Sequence, residues 1–84
     1  MLYSVKISTR ENSELSKCAE FCGLISAGVI FVKHIGFSDH IFVAPSNLEY
    51  AANVLSKVGR PTTDYLASAL RIILENQPSK KSRV

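Results

Sequence analysis

Two cysteines and two histidines stand at spacings that a zinc site could use. Cys18, Cys22, His34 and His40 form the pattern C-x3-C-x11-H-x5-H, and the chain has no other residue of either type. Structural zinc takes four ligands of this kind in a tetrahedron. In a zinc finger, however, the cysteines lie on a hairpin and the histidines on a helix, and the elements predicted below reverse this arrangement. Zinc is therefore the less favoured interpretation, and we expect no cofactor.

A buried helix face is the favoured interpretation of the two cysteines. Leu15, Cys18, Cys22 and Ile25 recur at intervals of three and four residues, which is the spacing of one helix face. Free cysteine is among the most buried residue types and packs as a small apolar side chain. We therefore expect both thiols in the core. A redox pair is disfavoured because the spacing differs from Cys-X-X-Cys.

Groups that could carry out catalysis are scarce. Ser38, Asp39 and His40 include the residue types of a hydrolase triad. Neighbouring residues of a strand point to opposite faces, so Asp39 could not orient His40. The glycines form neither a P-loop nor a G-x-G-x-x-G motif. The sequence therefore predicts a protein without enzymatic activity.

The elements that must position these residues are predicted in the order βαββαα. Residues 2–8 alternate as a half-buried strand, and Ser8 with Glu11 fits the capping box of a helix over residues 9–22 that ends at Gly23. Two strands follow over residues 28–35 and 40–44. Two further helices are predicted over residues 48–58 and from Pro61 onward.

A three-stranded mixed sheet packed with helices is the predicted α+β architecture. We prefer the strand order 2-3-1 of a ferredoxin-like split βαβ unit, with the first strand beside the third, and 1-2-3 is the alternative. Gly36, Ser38 and Asp39 supply turn residues between the second and third strands. Both of these strands are apolar on both faces near their centres, which predicts a sheet covered on both sides.

Aromatic residues of the sheet suggest base stacking. Phe31, Phe42, Phe37 and Tyr3 are accompanied by only two basic residues, Lys6 and Lys33. Exposed aromatic side chains of RNA-binding sheets stack on bases, interleaved with basic residues. Because the sheet faces are predicted to be buried, this pattern counts only weakly toward nucleic-acid binding.

Length and composition predict one small domain. The chain has 84 residues, of which 46% are hydrophobic and 20% charged, which is typical of a globular protein. We expect one compact domain over residues 1–77 and a basic disordered tail over residues 78–84. No apolar run reaches the roughly 18 residues of a membrane span, and the first residues lack a signal-peptide pattern. Two cysteines without such a signal predict a cytoplasmic protein.

Positive charge is concentrated at the C-terminal end. The net charge is +3, and the last seven residues contain Lys80, Lys81 and Arg83 but no acid. Without these three, the ten Lys and Arg residues fall to seven, which equals the seven acids. Nucleic-acid-binding domains usually carry their charge on the folded surface, so a basic tail is weaker evidence of such binding.

The leading functional hypothesis is a small non-enzymatic interaction module, such as an accessory subunit or an inhibitor from a phage or mobile element. It would act by docking on a protein partner or by homodimerisation, and no membrane association is expected. The expected partner contacts are Phe37, Arg60, Tyr65 and Arg71.

The alternative hypothesis is an RNA- or DNA-binding accessory protein. It would use the basic tail and the predicted helix that begins at Pro61, and the charge of the tail and the α+β form favour it. The expected nucleic-acid contacts are Arg60, Arg71, Lys80, Lys81 and Arg83.

Overall fold

The computed structural model describes residues 1–77 and has an α+β fold. The bounds of the elements are β1 Tyr3–Ile7, α1 Thr9–Leu15, α2 Ala19–Ser26, β2 Ile30–Ile35, β3 Ser38–Val43, a 3₁₀ turn Pro45–Asn47, α3 Leu48–Ser56 and α4 Pro61–Glu75. Three strands and four α-helices therefore make up the described part of the chain. The predicted tail, residues 78–84, lies outside it.

The sheet has the order β1-β3-β2, with β3 in the centre. Both neighbouring pairs are antiparallel, so β1 and β2 run in the same direction without touching. The prediction that the first strand pairs with the third is confirmed. The predicted mixed sheet is wrong, because no two neighbouring strands among residues 1–77 are parallel. The ferredoxin-like comparison is not confirmed, since two helices rather than one connect β1 to β2.

The predicted first helix, residues 9–22, is in fact two helices. Ser8 and Glu11 form the predicted capping box, but α1 ends at Leu15. Cys18 is extended, with φ −95° and ψ 122°, and α2 then continues through Gly23. The break places Phe21 and Leu24 in the core, with 0% and 3% of their surface exposed. These two side chains bury more apolar surface than the predicted stripe would bury through Cys22 and Ile25.

The end of α2 is set by Gly28 rather than by Gly23. Gly28 has φ +76°, the left-handed conformation that glycine adopts without strain. The N–H of Val29 donates to the carbonyl of Leu24 at 2.9 Å, and the N–H of Gly28 donates to that of Ile25 at 3.0 Å. These two bonds form a Schellman motif, which satisfies the last carbonyls of the helix.

The β2–β3 hairpin turns over two residues only. Gly36 has φ +64° and Phe37 does not have a positive φ, which fits a type II′ turn with glycine in its first central position. Ser38 and Asp39, predicted as turn residues, instead belong to β3 and pair with Ile35 and His34. The short turn leaves these two residues free to extend the ladder.

The helices cover one face of the sheet. Helices α1, α2 and α4 contact the strands, and α3 packs against α4. The core of this single interface includes Val5, Ile41, Val43 and Phe21. On the other face Phe31 is 53% exposed, so the predicted coverage on both sides is wrong. Among residues 1–77, no helix has both the length and the apolar character that a membrane span needs.

Candidate functional site

The uncovered side of the sheet forms a continuous surface, here called the open face. Strand residues alternate between the two sides of a sheet, and cross-strand partners share a side. Val5, Ile7, Ile41 and Val43 point toward the helices and are buried. The alternate residues make up the open face: Ser4, Lys6, Phe31, Lys33, Ile35, Ser38, His40 and Phe42.

Two phenylalanines lie side by side in the middle of the open face. Phe31 of β2 pairs directly with Phe42 of β3. Phe31 is 53% exposed, and Phe42 is half-buried. Together with Leu2 and Lys33 they line a shallow hollow of about 310 Å³. This volume is at the small end of the range for small-molecule sites.

A row of basic side chains lies next to this aromatic pair. Lys6, His40 and Lys33 pair with one another across β1, β3 and β2, and both lysines are exposed. The rings of His40 and Phe42 are stacked, with centroids 6.3 Å apart and planes 28° apart. The basic row, defined as Lys6, His40 and Lys33, is therefore in direct contact with the aromatic pair.

Acidic side chains are kept away from the open face. The one acid in the strands, Asp39, points to the covered side, where it is buried and lies 2.8 Å from Nδ1 of His34. The other six acids lie on the helices. Within the described residues, the open face thus combines aromatic and positively charged groups without a carboxylate.

Such a surface has groups that can bind a ligand. Aromatic rings stack on the flat faces of nucleic-acid bases, and lysines attract the phosphates that connect them. The open face has three further polar groups, the Ser4 and Ser38 hydroxyls and the His40 ring.

No protein-family model, curated protein or solved structure matches this chain. Its function must therefore be inferred from the chemistry of its own surfaces.

The four residues of the zinc pattern are not brought together. His34 pairs with Asp39 and His40 pairs with Lys33, so the two histidines point to opposite faces of the sheet. Cys18 is buried, but Cys22 is exposed, which contradicts the predicted burial of both thiols. Among residues 1–77, no three His, Cys, Asp or Glu side chains are grouped closely enough to hold a metal ion.

The four predicted partner contacts belong to separate elements. Phe37 lies at the turn of the hairpin and is 100% exposed, and Tyr65 on α4 is 50% exposed. Arg71 donates from Nη2 to Oδ1 of Asn53 at 2.7 Å, which links α4 to α3. Arg60 precedes α4 as its N-terminal cap residue.

The basic residues predicted for nucleic-acid contact are not on the open face where the structure describes them. Arg60 and Arg71 belong to the helical side, and Lys80, Lys81 and Arg83 lie outside the described residues.

A second cavity, of about 390 Å³, lies between the α1–α2 junction and the start of α4. Lys17 and Arg60 line it together with Glu14, whose Oε1 accepts a hydrogen bond of 2.6 Å from Thr62. Its charges have both signs, and one acid already connects α1 to α4. The open face is therefore the better candidate site.

The open-face residues were visible in the sequence as an alternation. Phe31 and Lys33 in β2, and His40 and Phe42 in β3, each lie two positions apart. The apolar residues between them, Val32 and Ile41, made both faces look buried. The open-face residues can be told from the core residues of these strands only once the side covered by the helices is known.

Proposed function

We propose that this protein is a non-enzymatic module that binds nucleic acid on its open face. The observation that carries the proposal is the position of the aromatic pair beside the basic row, on a surface to which residues 1–77 contribute no acid. The aromatic pair provides stacking surfaces, and the two lysines of the basic row attract phosphates.

Charge favours a polyanion over a second copy of the same chain. If two open faces packed against each other, Lys6 and Lys33 of both copies would enter an interface that contains no acid from the strands. Like charges brought together in this way are unfavourable, whereas a nucleic acid would neutralise them. The same reasoning disfavours a partner protein with a neutral apolar surface.

The test compares the salt dependence of oligonucleotide binding in two double variants. For single strands, the slope of the logarithm of the binding constant against the logarithm of salt is about −0.7 per neutralised phosphate. We therefore expect Lys6→Gln with Lys33→Gln to weaken binding and to make the slope shallower by about 1.4. Fluorescence anisotropy at several salt concentrations measures both quantities.

The matched control is Lys17→Gln with Lys57→Gln, which removes the same charge from exposed positions on the helical side. We expect this control to retain most of the binding. Equal losses in the two double variants would show that net charge alone is responsible and would contradict the proposal.

Protein docking is the second candidate, and one observation favours it. Phe37 is completely exposed at the hairpin turn, and Ile35 beside it is 47% exposed. Exposed aromatic side chains often anchor protein interfaces. Affinity capture followed by mass spectrometry, with Phe37→Ala as the comparison, tests this candidate: a specific protein captured by the wild type and lost in the variant would support it.

A further inference from the structure

The open face has the geometry of a platform for unpaired bases. We infer that it binds a single strand, with two neighbouring bases on Phe31 and Phe42 and the sugar-phosphate backbone along the basic row. This inference rests on the proposed function and specifies the form of its ligand.

The spacing of the aromatic pair suits two bases of one strand. Phe31 and Phe42 are cross-strand partners, and the Cβ atoms of such partners lie about 4.5–5.5 Å apart. Lys33 is two residues from Phe31, and His40 is two residues from Phe42, which corresponds to about 7 Å along each strand. A phosphate attached to a stacked nucleotide therefore lies within reach of the flexible lysine side chains.

Stacking on a side chain requires that the bases be unpaired. In a duplex the flat faces of the bases are covered by their neighbours, and a protein can reach only the base edges in the grooves. The open face carries two lysines, which are few for the dense charge of a duplex, with one phosphate per about 1.7 Å of its axis. Both observations favour a single strand over a duplex.

Sequence preference is expected to be weak. The hydroxyls of Ser4 and Ser38 and the ring of His40 are few groups with which to distinguish base edges. Stacking tolerates every base, since each has an aromatic face. We therefore expect oligonucleotides of different composition to bind with similar affinity.

The experiment measures the dissociation constants of fluorescent oligouridylate and oligothymidylate strands of about twelve nucleotides, and of a duplex of equal length. Base stacking predicts that Phe31→Ala and Phe42→Ala each weaken single-strand binding by about 5- to 150-fold. Phe31→Tyr keeps an aromatic ring and should bind within about threefold of the wild type. The control variant Tyr50→Ala removes a 58% exposed aromatic ring from α3, on the helical side, and should also bind within about threefold.

Circular dichroism and thermal melting establish that each variant is folded. Tight binding of either single strand, with the loss confined to the variants that lack a ring on the open face, supports the inference. Oligodeoxyuridylate, which differs from oligouridylate only in the 2′-hydroxyl, is measured as well, and the ratio of these two constants assigns RNA or DNA as the preferred ligand.

Two outcomes would overturn the inference in distinguishable ways. If the duplex binds as tightly as the single strands, and the lysine variants but not the phenylalanine variants lose affinity, the inference is wrong and the proposed function stands. If the wild type binds neither form at low salt, both are wrong. Self-association that Phe31→Ala abolishes would identify the open face as a homodimer interface and would also overturn both.

Discussion

Cys18 and Cys22 are four residues apart and yet lie in different environments. Cys18 is 4% exposed, and its Sγ lies 3.5 Å from Oε1 of Glu20. Cys22 is exposed on the outer side of α2, with its Sγ 3.3 Å from the carbonyl oxygen of Ser16. The break in the helix before Ala19 changes which side of the chain faces the core.

Replacing each cysteine by serine should therefore have unequal effects on stability. Cys18→Ser puts a hydroxyl into the core, at a cost of about 1–3 kcal/mol. Cys18 is also the N-cap residue of α2, where a serine hydroxyl can accept from the first backbone N–H groups and recover about 0.5–2 kcal/mol. We therefore expect a net loss of about 0.5–1 kcal/mol for Cys18→Ser. Cys18→Ala lacks this cap and should lower the free energy of unfolding more than Cys18→Ser does. Cys22→Ser should change it by less than about 0.5 kcal/mol, because the side chain is exposed. Urea denaturation measures these changes, and a larger loss for Cys22→Ser than for Cys18→Ser would support the continuous helix instead.

The helices and the hairpin depend on backbone positions that the sequence marks only partly. Gly23 and Gly28 both fit the pattern of a helix end. Only Gly28 is left-handed, whereas Gly23 lies inside α2 with open space where a Cβ atom would be. The two glycines therefore have opposite roles in the same helix.

Alanine substitutions at these two glycines should shift stability in opposite directions. Gly28→Ala forces a side chain into φ +76° and should lower the free energy of unfolding by about 1–3 kcal/mol. Gly23→Ala should raise it by about 0.5–1 kcal/mol, because alanine favours a helix interior. Thermal or urea unfolding of the two variants provides the comparison, and destabilisation by Gly23→Ala would contradict the position of this residue within α2.

At the scale of the molecule, the open face and the C-terminal residues are expected to contribute to binding in different ways. The aromatic pair on the open face would act through stacking, which depends little on salt. Lys80, Lys81 and Arg83 lie beyond the described residues and would act through charge alone. A truncation after Gln77, the last described residue, keeps every helix and strand of the described part.

Deletion of residues 78–84 removes three positive charges and no acid. We expect the salt slope of single-strand binding to become shallower by up to about 2, since each neutralised phosphate contributes about 0.7. Phe31→Ala should weaken single-strand binding by the same factor in the truncated protein as in the full-length protein. If the truncation abolishes the effect of Phe31→Ala, the open face does not bind independently of these residues.

Much of the local structure could be predicted from patterns of neighbouring residues. The capping box of Ser8 and Glu11 and the start of α4 at Pro61 are confirmed. The pairing of β1 with β3, predicted from rules of strand order and not from neighbouring residues, is confirmed as well. Capping depends on residue types a few positions apart, so a short window of sequence contains the necessary information. The broken helix was not predictable in this way, because a continuous helical stripe and the observed break both place Leu15 and Cys18 toward the core.

The candidate site could not be predicted from a short stretch of sequence, because its position depends on which face of the sheet the helices cover. Alternation in β2 and β3 assigns Phe31 and Phe42 to one side of the sheet and Val32 and Ile41 to the other, but both sets are apolar. The side that becomes the core is the side on which the helices pack. The position of the helices depends on the total apolar surface buried across the whole fold, to which Leu15, Phe21, Leu24 and many other side chains contribute. Composition and periodicity were therefore sufficient for the α+β class and most of its elements. The one-sided packing that leaves the aromatic pair and the basic row on the uncovered side of the sheet is a property of the assembled tertiary structure.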